Sequence, residues 1–238
     1  LILNTLYAAT NGSGHHTIGG GQDNVVSGQS YHVTIGGGEN NSVWSATRAT
    51  IGGGDSNFIY TNNVAFGDYS YYGTIGGGRL NRIEKGVAET IGGGYYNRII
   101  KGIPYGTGTQ NRSNVIAGGE DNAISSSTKY GAVVGGYGNY LNRAGASLIG
   151  GGRWNVISGW GSSFELGMEA SAIVGGQGNL LFKTPLSIIG GGQRNQITGG
   201  TKNFIGGGLY NRISSHTESI LVGGYANQMQ TDVIHTLY

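Results

Sequence analysis

Few side chains in this chain are able to do chemistry: five histidines, twelve carboxylates and no cysteine among 238 residues. The lack of cysteine removes disulfides and thiolate metal sites together. His15, His16, His32, His216 and His235 stand at no recognisable spacing from a nucleophile. The chain has neither a His-Glu-x-x-His helix nor a Gly-x-Ser-x-Gly elbow. The adjacent pair His15-His16 fits a solvated segment better than a metal site. Glycoside cleavage needs two carboxylates about 5–9 Å apart. Glu165 and Glu169 share one segment, but four residues of strand would separate them by about 13 Å. A closer pair would have to come from neighbouring parts of the fold. Gly106-Thr107-Gly108 lacks the third glycine and the strand–helix setting of a dinucleotide site. The residues thus assign no catalytic, cofactor-binding or metal-ligating role, and the expectation is a non-enzyme without a cofactor.

Any site must be positioned by a repeat. The pattern of Ile189-Gly190-Gly191-Gly192-Gln193-Arg194-Asn195-Gln196-Ile197 occurs twelve times: apolar, small, Gly, Gly, two free places, Asn, one free place, apolar. Its first copy starts at Ile18 and its last at Leu221, and successive starts are 17, 16, 24, 16, 25, 17, 16, 24, 16, 16 and 16 residues apart. A coil of 16 or 17 is therefore interrupted three times, within residues 60–74, 101–115 and 159–172. A fixed short period of this kind means a stacked architecture. The run Gly19-Gly20-Gly21-Gln22-Asp23-Asn24 has some of the residues of a calcium-binding repeat. That repeat, however, needs an aspartate every nine residues, and here the recurring residue is a neutral asparagine.

Composition narrows the class further. Glycine is 50 of 238 residues, well above the ~7% of ordinary proteins, and it does not fall at every third place as collagen requires. Charged residues are only 11% and the net charge is +2, so there is no electrostatic footprint for nucleic acid. No apolar run approaches the ~18 residues of a membrane span. Three glycines per coil would each cost about 1 kcal/mol in a helix, whereas the β-branched residues beside them suit short strands. The expected fold is all-β, a parallel β-solenoid (β-roll or β-helix) of about twelve 16-residue coils. Residues 1–16 are read as an N-terminal cap or junction, 17–229 as the repeat domain and 230–238 as a C-terminal cap or junction.

Roles for the motif places follow. The leading Ile and the apolar residue after Asn point inward and build one core. The glycines permit positive φ and close backbone approach. The asparagines are expected to take the left-handed corner conformation and to stack as an amide ladder. Neighbours on a strand face opposite ways, so the residue before the leading Ile should face outward. It is threonine in five coils (Thr17, Thr34, Thr50, Thr74, Thr90) and then Val115, Ala132, Leu148, Ala172, Ile188, Phe204 and Ile220. A contiguous apolar stripe of that kind marks an interface, and self-association about the rod axis is the reading adopted.

Two units in the extended coils, Phe66-Gly67-Asp68-Tyr69-Ser70 and Leu166-Gly167-Met168-Glu169-Ala170, match the short apolar-Gly-x-x-Ser/Ala unit of trimeric autotransporter adhesin heads. The dominant repeat is more similar to the glycine-rich arrays of phage tail fibres and other bacterial surface fibres. The resemblance spans residues 17–229. It implies a homotrimeric fibre segment, extracellular, on a cell surface or on a virion, that meets a cell-surface glycan or protein receptor without membrane insertion or nucleic acid. Loops on a rigid scaffold are where binding tends to sit, and tyrosine and tryptophan suit mixed apolar–polar partners. The receptor contacts are therefore placed at Tyr69, Tyr71, Tyr72 and Trp160 of the interrupted coils. Tyr105, Arg112 and Phe164 lie in the same stretches. Two alternatives are an ice-binding solenoid, suggested by the threonine column, and a tailspike-type polysaccharide depolymerase.

Overall fold

In the computed structural model the described residues are 4–6, 14–60, 70–100, 111–159 and 168–230. They form an all-β, parallel solenoid of about eleven turns with no helix among them. One sheet of thirteen short strands runs from Thr5–Leu6 to Gln228–Gln230, and a second of twelve runs from His16–Ile18 to Ile220–Leu221. Twelve stacked strands bound eleven complete turns, which reconciles the turn count with twelve motif copies. Every coil repeats the register of the last: Ile75 pairs with Ile51 and Ile91, and Ile197 with Leu181 and Ile213.

The places of a coil are counted here from the leading apolar residue, so that Ile189 is the first and Asn195 the seventh. The first and ninth places form two aliphatic columns that are fully buried over most of the rod, as in Ile51, Ile59, Ile149 and Ile157. The sixteenth place faces outward as its alternation requires, with Val115, Leu148, Ile188, Phe204 and Ile220 all exposed.

The asparagines of the seventh place are buried, except Asn227 in the last coil, and form the expected ladder. Asn57 donates both its backbone N–H and its Nδ2 to Asn41 Oδ1, each at 3.1 Å. The same Nδ2 donates to Gly53 O at 3.0 Å within its own coil and to Gly78 O at 2.9 Å in the next. The ladder begins below the first motif, because Asn4 Oδ1 accepts from Asn24 N–H at 3.1 Å. Residues 4–6 thus stack as the seventh to ninth places of a further coil, with Thr5 opposite Val25 and Leu6 opposite Val26.

The left-handed corner is one residue away from where the sequence placed it. The asparagines are not the residues with positive φ; the residue before each carries it, as at Asp23 (φ 53), Trp154 (φ 55) and Arg194 (φ 53). The asparagine side chain has to point inward to reach three oxygens, so the reversal falls on its outward neighbour. The glycine requirement is clearest at the fourth place. Gly54 has φ 91, and a Cβ there would lie 2.1 Å from Gly78 O and 2.8 Å from Asn57 Nδ2. A side chain would strike both the next coil and the ladder.

A second interior seam escaped the sequence reading. The twelfth and fifteenth places also point inward, but they carry small or polar residues: Ala46 and Ala49, Asn111 and Asn114, Thr184 and Ser187, all buried. Their polar atoms are bonded across coils, as in Asn114 Nδ2 to Thr128 O (2.8 Å) and Thr128 N–H to Asn111 Oδ1 (3.0 Å).

All variation in coil length falls at one corner. An ordinary coil puts one residue there, such as Ser45 between the strands Ser42–Trp44 and Ala46–Thr47. Coils of 17 put two there, Gly28-Gln29 or Ser126-Ser127. In the long coils the strand before this corner ends at Tyr60, Ile100 or Ser158, and the next begins at Ser70, Asn111 or Met168.

Replacing Asn155 or Asn195 by alanine removes a buried amide from this ladder and should lower stability by about 1–3 kcal/mol. Chemical denaturation of the two variants measures it; unchanged midpoints would show that the ladder adds nothing to stability.

Candidate functional site

Of the four residues singled out from sequence, Tyr71 and Tyr72 lie within the described residues. Tyr69 and Trp160 lie outside the described residues, as do Tyr105, Phe164 and Glu165. Tyr71 and Tyr72 belong to the regular coil, where Tyr71 pairs with Thr47 and Val87. Tyr72 occupies a left-handed corner (φ 56) and is exposed. Its hydroxyl accepts from Arg48 Nη1 of the preceding coil, whose guanidinium lies 5.4 Å from the ring centroid. Arg112 is exposed in the strand Asn111–Arg112.

A longer aromatic edge is built from the fifth and sixth places, the two free positions between glycine and asparagine. The fifth place forms one bridge per coil, for example Tyr137 to Arg153. The sixth is the left-handed residue, so both side chains are thrown outward at the turn. Three aromatic pairs result. Tyr95 and Tyr96 lie 6.2 Å apart, Tyr137 and Trp154 meet edge to face at 5.9 Å, and Tyr210 and Tyr225 do so at 6.2 Å. Each pair has an arginine over a ring: Arg98 at 4.7 Å from Tyr96, Arg153 at 5.2 Å from Trp154 and Arg194 at 5.5 Å from Tyr210. Such cation–π contacts hold the guanidinium against the ring while its edge stays wet. The indole of Trp154 lies against Gly138 of the preceding coil, where a Cβ would come 2.7 Å from its Cδ1. Sequence reasoning passed over these residues because they fall at places where the motif is variable. The signal was there in the recurrence of Tyr-Tyr, Arg-Trp and Leu-Tyr between glycine and asparagine.

His16 packs near His32 and His15. Burial, together with those two rings, holds its pKa below the usual imidazole value. Among the described residues no group of three histidines or carboxylates is arranged to hold a metal ion.

Glu89 is the unusual titratable group. It occupies the fifteenth place of its coil and is fully buried in the polar seam. Asn114 N–H donates to its Oε2 at 2.9 Å, and Asn114 Nδ2 to its Oε1 at 3.4 Å. Gly86 makes room for it, since a Cβ there would lie 2.3 Å from Glu89 Cγ. Burial dominates over these donors and raises the carboxyl pKa to about 8. Sealed from solvent, this group cannot meet a substrate and acts on stability.

No family model matches the chain, and no curated protein matches its sequence. The geometry defines the class of protein as a parallel β-solenoid with constant aliphatic and asparagine columns inside and varied outer columns.

A carboxyl whose pKa is raised in the folded state contributes stability that is fully present below its unfolded pKa and lost as pH rises through the folded one. For Glu89 that window runs from its ordinary 4.5 to about 8. Glu89→Gln should flatten the pH dependence of melting across this window and raise the melting temperature at about pH 9. Parallel pH–melting profiles for the two proteins would disprove the burial of a neutral carboxyl.

Proposed function

We propose that this chain is a structural and adhesive fibre segment, non-catalytic and homotrimeric, of the kind carried by a phage tail fibre or a bacterial surface adhesin. The observation that carries the reading is the outward aliphatic column. Leu148, Ala172, Ile188, Phe204 and Ile220 follow one another in register along successive strands. Beside them Val134, Val174 and Val222 are more than half exposed. An apolar stripe of this length on a rod is suited to a second copy of the same rod. Three copies about a common axis satisfy all stripes at once and leave the remaining outer columns for a receptor.

A second reading draws on the opposite half of the same column. Thr17, Thr34, Thr50, Thr74 and Thr90 are registered strand to strand, beside a column of glycines at the second place. A row of hydroxyls at strand spacing is the kind of surface that orders water, and this supports an ice-binding function.

Two measurements separate the readings. Sedimentation equilibrium should give a trimer, and the double variant Phe204→Asp, Ile220→Asp should dissociate, because enclosing an unpaired charge costs several kcal/mol. A soluble monomer of the unmodified protein would sink the fibre reading. Thermal hysteresis of the purified protein, abolished by Thr34→Tyr and Thr50→Tyr, would establish the ice-binding alternative in its place.

A further inference from the structure

Charge is sorted along the aromatic edge. In the first six coils its fifth and sixth places hold five carboxylates, Asp23, Glu39, Asp55, Glu120 and Asp121, and one cation, Arg79. Between Tyr137 and Gln230 there are six Lys and Arg against three carboxylates, Glu165, Glu169 and Glu218. Among the described residues of this half the fifth, sixth, eighth and tenth places carry no carboxylate. The outer edge of that half is therefore aromatic, amide-bearing and cationic, with the aliphatic column elsewhere on the coil.

We propose that the edge formed by Tyr137, Arg153, Trp154, Arg194, Tyr210 and Tyr225 binds a linear acidic polysaccharide, a polyuronate, laid along the rod axis. The rings offer flat apolar faces with polar tips, which match the alternation of C–H faces and hydroxyl edges on a sugar ring. Guanidinium groups match carboxylates through two parallel N–H···O bonds. Arg153 commits Nη2 to Gln177 Oε1 at 2.9 Å and Arg194 commits Nη1 to the Tyr210 hydroxyl, so both forks are held in place with other N–H groups still to donate. Coils rise about 4.8 Å each, so Tyr137 to Tyr225 spans about 24 Å, room for several sugars in an extended chain. The backbone beneath is rigid: Trp154, Arg194 and Tyr210 sit at left-handed corners (φ 55, 53 and 59), and each backbone N–H donates to the preceding coil. A site ordered before binding loses little entropy on binding. This inference deepens the adhesive part of the proposed function and does not depend on assembly.

The test uses the full chain and polygalacturonate oligosaccharides, with a neutral glucan of equal length, dextran sulfate and oligothymidylate as comparators, followed by calorimetry. Binding to the polyuronate is expected, weakening with salt as exposed charge pairs do. Two double variants, Arg153→Gln with Arg194→Gln and Trp154→Asn with Tyr210→Asn, should each weaken it about tenfold or more. Asparagine keeps the left-handed corners comfortable, so melting temperatures should stay near that of the parent. No binding to polygalacturonate, or equal binding by the variants, would overturn the proposal. So would equal affinity for the neutral glucan, dextran sulfate or oligothymidylate. Sedimentation of the same samples keeps the two readings apart. A trimer that ignores the polyuronate removes this inference alone, and a monomer that binds it removes only the assembly.

Discussion

Each coil is fastened to its neighbours by one buried asparagine amide, and most of the repeat follows from that group's geometry. The Nδ2 has two protons and the Oδ1 two lone pairs, all to be used where water does not reach. In this chain the amide reaches the asparagine below, a glycine carbonyl in its own turn and a glycine carbonyl in the next coil. That demand draws the glycine turn close against the asparagine and excludes a side chain at the fourth place. It also pushes the chain reversal onto the residue before the asparagine. Burial without such partners would cost a few kcal/mol per group, so the ladder is cooperative: each amide is satisfied only because its neighbours are present.

With the interior fixed, the exterior is released. The fifth, sixth, eighth, tenth, fourteenth and sixteenth places can change freely because their side chains leave the stack. The chain uses this freedom unevenly. Threonines give way to aliphatic residues at the sixteenth place, and after Glu120 and Asp121 no carboxylate returns to the fifth and sixth. Uniform aliphatic and asparagine columns and a varied exterior are two results of one parallel register, in which each strand residue pairs with its equivalents in adjacent coils.

The repeat, the two aliphatic columns, the amide ladder and the outward sixteenth place could all be read from the sequence, because each recurs at a fixed distance from the glycines. The polar seam could not. Its residues are Ala, Gly, Ser, Thr, Asn and Glu, types that ordinarily signal a surface, and variable coil length hides their periodicity by shifting them against the motif. Glu89 is the extreme case: a carboxylate in sequence, a neutral hydrogen-bonding group in the core. Asn4 was missed because its coil has no glycine run to mark it. Tyr71 and Tyr72 were grouped with an interruption that in fact closes before them, at Ser70. The turn aromatics occupy places that vary, so no fixed motif position marks them.

The corner that absorbs every change in coil length is also a statement about chain growth. Closing a loop of nine or ten residues in place of one costs only a slowly rising entropy, and the strands on either side keep their partners whatever lies between them. New sequence can therefore enter at this single port without renegotiating any inner contact. A lineage carrying this fold can extend, shorten or exchange those segments one at a time, so its surface can diversify far faster than its frame.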